Sequence, residues 1–379
     1  MAKLRISTDE VLPRLAQVVG VVNSKSPLPI LGNVVFQTRQ DGGLTITASD
    51  SEIWLTVKVP CIQSDEPMTF CVLATDIFKV LSNLKGKEVE MTLDKETHTV
   101  QGTYQKGRFS LPYEDATDFP RPMMDMTDAK TILMHATNFI RAIGKANFAV
   151  ANEKLRPILN GVHFIFSNTG MIAEATDGQK LIRYVDKTIE NFGDGESETA
   201  FVLPKKPVTL LIGLLNGYSD DVKIEFTPSC VAISNTEFKM MARLLEGKYP
   251  TLERIIPTDN TIKVTIPKND LIEALKRVLP MGDAVSELVS LAFSIGNLTV
   301  ATTDINYSKS ADESIDCDYA SPELSIGFNG SYLLDVLANI EDDNVCIMLK
   351  DATRAGLFKP ESIDESEDYV SLLMPIFLL

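Results

Sequence analysis

Three aspartates, Asp50, Asp177 and Asp304, recur at a constant interval of 127 residues. Carboxylates can hold a divalent metal or act as general bases, so the series invites a catalytic reading. Each one closes an alternating apolar run: LTITASDSEIWL from Leu44, MIAEATDGQKLI from Met171 and LTVATTDINYSK from Leu298. A catalytic constellation gathers different residues in one place, whereas one acceptor per third of the chain suits a turn that caps its own backbone donors. The structural role is therefore the expectation. His98, His135 and His163 do not lie within a helical turn of one another, so a zinc site or a histidine-based triad has little support. The five cysteines, at 61, 71, 230, 317 and 346, form no CxxC pair and read as small buried hydrophobes of a reducing compartment. Signatures of a phosphate-binding loop, a serine-hydrolase elbow or a zinc protease are missing from the sequence. No enzyme, cofactor or metal is expected.

The elements that carry the aspartates repeat with them. Helical periodicity opens each third, in TDEVLPRLAQVVG from Thr8, ATNFIRAIGKANF from Ala136 and PKNDLIEALKRVL from Pro267, with Thr8, Thr137 and Asn269 as expected N-caps. A second helix runs through a Gly/Asn/Asp-rich turn into a strand in DIFKVLSNLKGKEVEMTL, PVTLLIGLLNGYSDDVKIEF and SYLLDVLANIEDDNVCIMLK. Between the helices, period-2 alternation broken by turns predicts antiparallel meanders. The fold class is α+β: three tandem copies of two helices plus about eight strands, with domains expected at 1–126, 127–257 and 258–379. Both connections are short and contain proline, DFPRPMMDM and KYPTLERIIP, so the domains are expected to pack rigidly in series.

The 379 residues carry a formal charge of −16, which by itself opposes tight binding of nucleic acid, since phosphate contacts need Lys and Arg. The charge is segregated. Arg141, Lys145, Lys154 and Arg156 face only Glu153 between positions 135 and 160; Lys205 and Lys206 begin the second helix of the middle third; Lys79, Lys85 and Lys87 outnumber Asp76 in the first. Acid collects in ESIDESED from Glu361 and in DKTIENFGDGESE from Asp186, runs that read as solvated loops. No apolar run approaches a membrane span and the N-terminus has no secretory h-region, so a cytoplasmic location is expected, with no membrane partner.

Three tandem copies of such a unit resemble the β subunit of bacterial DNA polymerase III, the sliding clamp. The resemblance covers essentially the whole chain: SPLPILGNVVF and RFSLPYEDATDFP in the first third; LNGVHF, ATDGQKL and LLEGKYPTLERIIP in the second; IGFNGSYLLDVL and the terminal LLMPIFLL in the third. It implies a head-to-tail homodimer closing a ring of six units, twelve helices inside and sheets outside, that encircles duplex DNA without sequence specificity. Such a ring would tether the replicative polymerase's alpha-type subunit, the clamp loader and repair polymerases through short peptides. Encirclement needs little affinity, which reconciles the acidic charge with DNA; an acidic exterior would discourage DNA from wrapping outside. The resemblance places Lys25, Lys79, Arg141, Lys145, Lys154, Arg156, Lys205 and Lys206 towards DNA, and Phe109, Val278 and Leu279 at the dimer interface. It places a peptide groove on Leu159, Thr176, Gly178, Gln179, Lys180 and Leu181, on Pro250, Arg254 and Ile255, and on Leu373, Met374, Pro375 and Ile376. The chain departs from the family at Gln179 and Lys180, where relatives often carry His-Arg, and at Phe377, which is expected to alter the groove. A tandem protein-binding scaffold that never meets DNA is the competing reading, and a hydrolase or nuclease a distant third.

Overall fold

Each third of the chain runs strand, helix, a set of strands, helix, and three strands. The computed structural model describes residues 3–23, 25–39, 43–61, 63–64, 66–189 and 198–378. The first copy comprises β1 (Lys3–Ser7), α1 (Thr8–Val19), β2 (Asn33–Thr38), β3 (Leu44–Ser49), β4 (Ile53–Val59), the two-residue β5 (Gln63–Ser64), β6 (Thr69–Leu73), α2 (Ala74–Ser82), β7 (Glu88–Asp94), β8 (Thr99–Tyr104) and β9 (Gly107–Pro112). The second comprises β10 (Lys130–His135), α3 (Ala136–Asn147), β11 (Gly161–Ser167), β12 (Gly170–Thr176), β13 (Lys180–Asp186), β14 (Thr199–Pro204), α4 (Lys205–Leu215), β15 (Asp221–Phe226), β16 (Cys230–Ser234) and β17 (Phe238–Arg243). The third comprises β18 (Ile262–Pro267), α5 (Lys268–Val278), β19 (Leu288–Ser294), β20 (Asn297–Asp304), β21 (Lys309–Asp316), β22 (Leu324–Asn329), α6 (Gly330–Ala338), β23 (Asn344–Leu349), β24 (Gly356–Pro360) and β25 (Glu367–Leu373). Apart from β5, the order is the same three times.

The first helix of each copy follows its strand with no intervening loop, and this overturns the expected N-caps. Thr8, Thr137 and Asn269 all lie inside their helices, and the preceding residues Ser7 and Pro267 make no side-chain cap. The orphan N–H groups of the first turn are met from elsewhere in the same copy. The first helical N–H donates to the carbonyl that precedes the strand after the second helix: Thr8 to Lys87 at 3.0 Å, Ala136 to Asp220 at 3.1 Å, and Lys268 to Asp343 at 2.9 Å. Thr8 adds its hydroxyl, donating to the carbonyls of Leu84 and Lys87. Side-chain capping survives in α6, where Asn329 accepts from the N–H of Tyr332 at 2.9 Å. The apolar stripes pack inward, with Val11, Leu15 and Val18 of α1 and Leu271, Ala274, Leu275 and Val278 of α5 all buried.

The described residues divide into two compact units, Met1–Thr137 with Thr209–Leu244, and Asn138–Val208 with Leu245–Leu379. The division passes through the second copy because sheets join successive copies. In the first unit, β10-β15-β16-β17 of copy two continues into β4-β3-β2-β6 of copy one as one eight-stranded sheet, closed by antiparallel pairing of β17 with β4. In the second unit, β14-β11-β12-β13 of copy two continues into β25-β24-β23-β18 of copy three, closed by β13 with β25. The remaining sheets are β5-β1-β7-β8-β9 in the first unit and β21-β20-β19-β22 in the second. Their end strands, β5 and β9 in the first and β21 and β22 in the second, are each paired on one side only.

Alternation sets the two faces of every sheet. On β13, Lys180, Ile182 and Tyr184 face the helices, whereas Leu181 and Arg183 face outward; the register with β25 pairs Leu181 with Leu372 and Ile182 with Ser371. The same outward row continues through Leu357 of β24 to Met348 of β23.

Candidate functional site

The repeated aspartates are turn residues. Asp50 Oδ1 accepts from the N–H groups of Glu52 and Ile53, at 3.1 and 2.8 Å; Asp177 Oδ1 accepts from Gln179 and Lys180, both at 2.8 Å; Asp304 Oδ1 accepts from Tyr307 at 3.1 Å. Asp94, Asn235 and Asp351 close other hairpins in the same way. One side-chain oxygen of each is engaged by backbone donors of its own turn. Among the described residues no group of three or more His, Cys, Asp or Glu could hold a metal ion.

A continuous apolar cluster lies in the second unit, on the outward face of its eight-stranded sheet. Leu159, Leu181, Tyr249, Leu252, Leu357, Val370 and Leu372 form one apolar cluster, against which Ile158, Leu245, Ile256 and Met348 pack half-buried. Each piece has a local reason to be there. Leu159 sits in a single 3-10 turn begun by Pro157, and Leu252 in another that runs to Arg254. Thr176 is buried and ties off the hairpin, donating to the carbonyl of Lys180 at 2.8 Å and accepting from the N–H of Gly178 at 3.0 Å. Gly178 has φ +91°, and a Cβ there would meet the Arg156 guanidinium at 3.2 Å, so both backbone and space favour glycine. The carbonyl of Gln179 accepts from the N–H of Met374 at 2.8 Å, and Ile376 donates to Gly327 at 2.8 Å. The tail is thereby pinned at two points, which leaves Met374 44% exposed, with Ile255 51% exposed on the turn after Leu252. Pro250, Pro375 and Ile376 are half-buried, and Gln179 and Arg254 exposed.

Two of the expected groove residues face the other way. Lys180 and Leu373 are paired with one another on the helix side of the sheet. Lys180 is 6% exposed; its ammonium lies 2.7 Å from Asp335 of α6 and 4.3 Å from the Tyr332 ring centroid. It therefore ties α6 to the sheet and is no rim charge. The outward leucine of β25 is Leu372, a residue the sequence reading missed together with Leu357 and Met348. A strict period-2 count from Leu181 and Met374 would have favoured Leu372.

Beside the cluster, on the same outward face, runs a polar row, His163–Glu174–Arg183, on neighbouring strands. His163 Nδ1 is 2.9 Å from Glu174 Oε1, and its ring stacks on Tyr249 at 4.5 Å. Burial and the neighbouring Glu174 push the Tyr249 phenol above its ordinary value, so the phenol stays protonated.

The expected DNA-facing cations divide by burial. Lys25, Lys79, Arg141, Lys154, Arg156, Lys205 and Lys206 are exposed. Lys145 is 6% exposed, donates to the Asn339 carbonyl at 2.9 Å and pairs with Glu341 at 3.0 Å. Burial pulls its pKa below the usual lysine value against the pull of Glu341. Lys145 is a structural cation, because a chain sealed beneath an ion pair cannot reach a phosphate. Arg141 is shared between Glu341 at 3.1 Å and Glu367 at 2.7 Å. The acidic stretch at 361–368 is exposed over its first five residues, but Glu367 is drawn in by Arg141 and by the Tyr184 hydroxyl at 3.0 Å. In the other acidic run, Asp186 is buried at the end of β13, and residues 190–197 lie outside the described residues.

Of the expected interface residues, Val278 is 2% exposed in the core of its own unit and is withdrawn from that role. Leu279 is half-buried beside Gly330, where a Cβ would meet it at 2.2 Å. Phe109 is half-buried on the edge strand β9 and lies over Gly102, where a Cβ would come within 2.1 Å of the ring.

With this geometry in hand, comparison with known proteins gives a consistent answer. Three family models match in order: the N-terminal, central and C-terminal domains of the DNA polymerase III beta subunit, at residues 2–125, 134–251 and 253–376. The beta sliding clamp of Escherichia coli (strain K12) is 28% identical over 375 residues, 98% of this chain and 99% of that one. That of Haemophilus influenzae is 27% identical, covering 98% and 99%. A crystal structure of the DNA polymerase sliding clamp from Pseudomonas aeruginosa with ligand superimposes with a TM-score of 0.89 at 25% identity, covering both chains fully.

Proposed function

The chain belongs to the DNA polymerase III beta subunit family, and on that premise we propose that two copies close head to tail into a ring around duplex DNA. Its function is that of a DNA sliding clamp in replication, a processivity factor with no chemistry of its own. The three domains are assigned to 1–126, 127–257 and 258–379, and the site of action is the cytoplasm.

One observation carries the ring. The last strand of copy two, β17, pairs with β4 of copy one, and the last strand of copy three, β25, pairs with β13 of copy two. By the repeat, β9 is the counterpart of β17 and β25, and β21 the counterpart of β4 and β13. Of these six equivalent strands, β9 and β21 are the two without a junction partner among the described residues, and each offers its open edge as a template for a further chain. A second copy satisfies both edges at once, by a heterologous contact that closes after two subunits.

The repeat also supplies the register. Met241 opposite Trp54 and Leu372 opposite Leu181 correspond to Ser110 opposite Ser310 of the partner subunit. Arg108 then faces Asp312 of the partner subunit and Phe109 faces the partner's Ala311. Exposure supports this register, because Arg108, Ser110, Ser310 and Asp312 are all exposed while Phe109 and Ala311 are half-buried.

Partner proteins dock at the outward cluster of the second unit, between Ile255 and Met374. Leu or aromatic side chains of a short peptide bury apolar area there; no charged group of the chain is required. Leu159, Thr176, Gly178 and Leu181 form the floor and hairpin wall, with Pro250, Arg254, Pro375 and Ile376 at the margins. The proposed occupants are the replicative polymerase, the clamp loader and repair polymerases. DNA is met by Lys25, Lys79, Arg141, Lys154, Arg156, Lys205 and Lys206. Two tests follow. Sedimentation should give twice the chain mass at micromolar concentration, and a strict monomer would exclude the ring. Met374→Ala or Ile255→Ala should weaken a Leu/Phe-anchored decapeptide about tenfold or more while leaving the melting temperature unchanged; wild-type affinity in both would exclude the groove.

A further inference from the structure

Because successive copies join through equivalent strands, the outward rows at the two internal junctions can be compared residue by residue. At the second junction the row is Met348–Leu357–Leu372–Leu181–Thr176. At the first it is Glu225–Ala232–Met241–Trp54–Ser49. The walls around the row also correspond. Leu31, Val35, Cys71 and Phe119 form one buried cluster, occupying the places that Leu159, His163, Val202 and Tyr249 hold at the second junction, and Pro120 stands for Pro250. The first unit therefore carries the frame of the same groove.

What differs is the occupant. Trp54 replaces Leu181, and in spite of its size and outward direction it is only 8% exposed. Its indole N–H donates to the carbonyl of Pro120 at 3.3 Å, the counterpart of the proline beside Tyr249. At the rim, Arg243 and Glu52 form an ion pair at 3.4 Å where the second junction has Met374 and Gln179. The backbone bond is the same in both places: Arg243 donates to the Glu52 carbonyl as Met374 does to Gln179.

We propose that the first junction is a second, latent peptide groove, closed by the chain's own Trp54, and that Trp54 is the residue that confines Leu- and aromatic-anchored peptides to the second junction. This rests on the peptide-binding role of the second junction. The indole fills the slot that an incoming side chain would take, its N–H satisfied by the carbonyl at the slot's edge, and the Arg243–Glu52 pair removes the apolar rim. The proposed junction between subunits would need no plug, since its row, Thr92–Gln101–Ser110 facing the partner's Ser310 and Thr303, is polar throughout and offers no apolar floor.

The test counts sites. Isothermal titration of the full-length protein with a synthetic decapeptide carrying Leu and Phe anchors should give one site per chain for wild type, weakened about tenfold or more on Met374→Ala. Trp54→Leu with Arg243→Met rebuilds the second-junction pattern and should bind two peptides per chain, the second within about a hundredfold of the first. A ratio of one in a double variant that keeps the wild-type mass and a cooperative melt overturns the proposal. Should that variant not fold, Trp54→Phe with Arg243→Met keeps an aromatic core in the slot; it should still bind a second peptide, more weakly, and a strict ratio of one there is equally fatal. Wild-type protein that binds no peptide would instead remove the groove reading itself, so the two failures are separable.

Discussion

Reversing the charge of Arg108 tests the register between subunits. In that register Arg108 has Asp312 of the partner subunit directly opposite on the exposed face, with the uncharged Ser310 and Ser314 as its diagonal neighbours. Arg108 thus has one charged partner across the interface, and the effect is not shared with others. An exposed cross-strand pair contributes about 0.2–1 kcal/mol and a like-charge pair costs a similar amount. Arg108→Asp therefore removes roughly 0.4–2 kcal/mol per interface by the same reckoning. A two-subunit ring has two interfaces, so the dimer loses roughly 1–4 kcal/mol, a rise of about fivefold to several-hundredfold in dissociation constant. The assay is a dilution series by analytical ultracentrifugation in low salt. Raising the salt to about 1 M should shrink the difference from wild type, because the Debye length falls to about 3 Å. Asp312→Arg in the Arg108→Asp background should restore the affinity. A wild-type constant for the single variant, or no rescue by the second, would refute the register drawn from the repeat.

Three further outcomes follow from the geometry. Asp335→Asn strands the Lys180 ammonium, whose side chain is 7% exposed, whereas Lys180→Met leaves Asp335, 50% exposed, able to take water. The first should therefore cost more stability, about 3 kcal/mol against about 1, and equal melting shifts would count against a buried tie. Gly178→Ala forces φ +91° on a residue with a Cβ, at about 1–2 kcal/mol, and should weaken peptide binding by disturbing the hairpin; unchanged affinity and melting would show that the turn tolerates it. Burial raises the Glu341 carboxyl, but hydrogen bonds and charge from Lys145 and Arg141 outweigh it and hold it below its ordinary value of 4.5. Its contribution is thus full above that value and lost as pH falls through the lowered one, so Glu341→Gln should flatten the loss of melting temperature below about pH 4.5. An acid limb identical to wild type would contradict this.

The repeat and its turns were legible because they are local. An aspartate after an alternating run, in the same place three times, is readable as a hairpin cap without any knowledge of the rest of the molecule. The joining of β17 to β4 and of β13 to β25 was not legible, since partners so far apart in sequence leave no local mark. That long-range pairing settles which face each residue takes. Lys180 and Leu181 are adjacent in a motif that suggests one site, yet the pleat sends one to α6 and the other to the groove. Lys145 looked like one of a basic series until Glu341, Asn339 and Tyr369 closed over it. The N-caps failed for a related reason: strands run straight into helices, and a carbonyl from about 75–85 residues further along the chain does the capping.

Encirclement is the central claim, and topology tests it directly. The protein is loaded with a bacterial clamp loader onto a nicked circular plasmid, freed of unbound protein by gel filtration, and the plasmid is then cut once at a remote site. A sliding clamp stays with the circle through a high-salt wash and leaves after linearisation, with the DNA otherwise intact. Protein that remains on the linear DNA, or that never survives the wash on the circle, would contradict the ring.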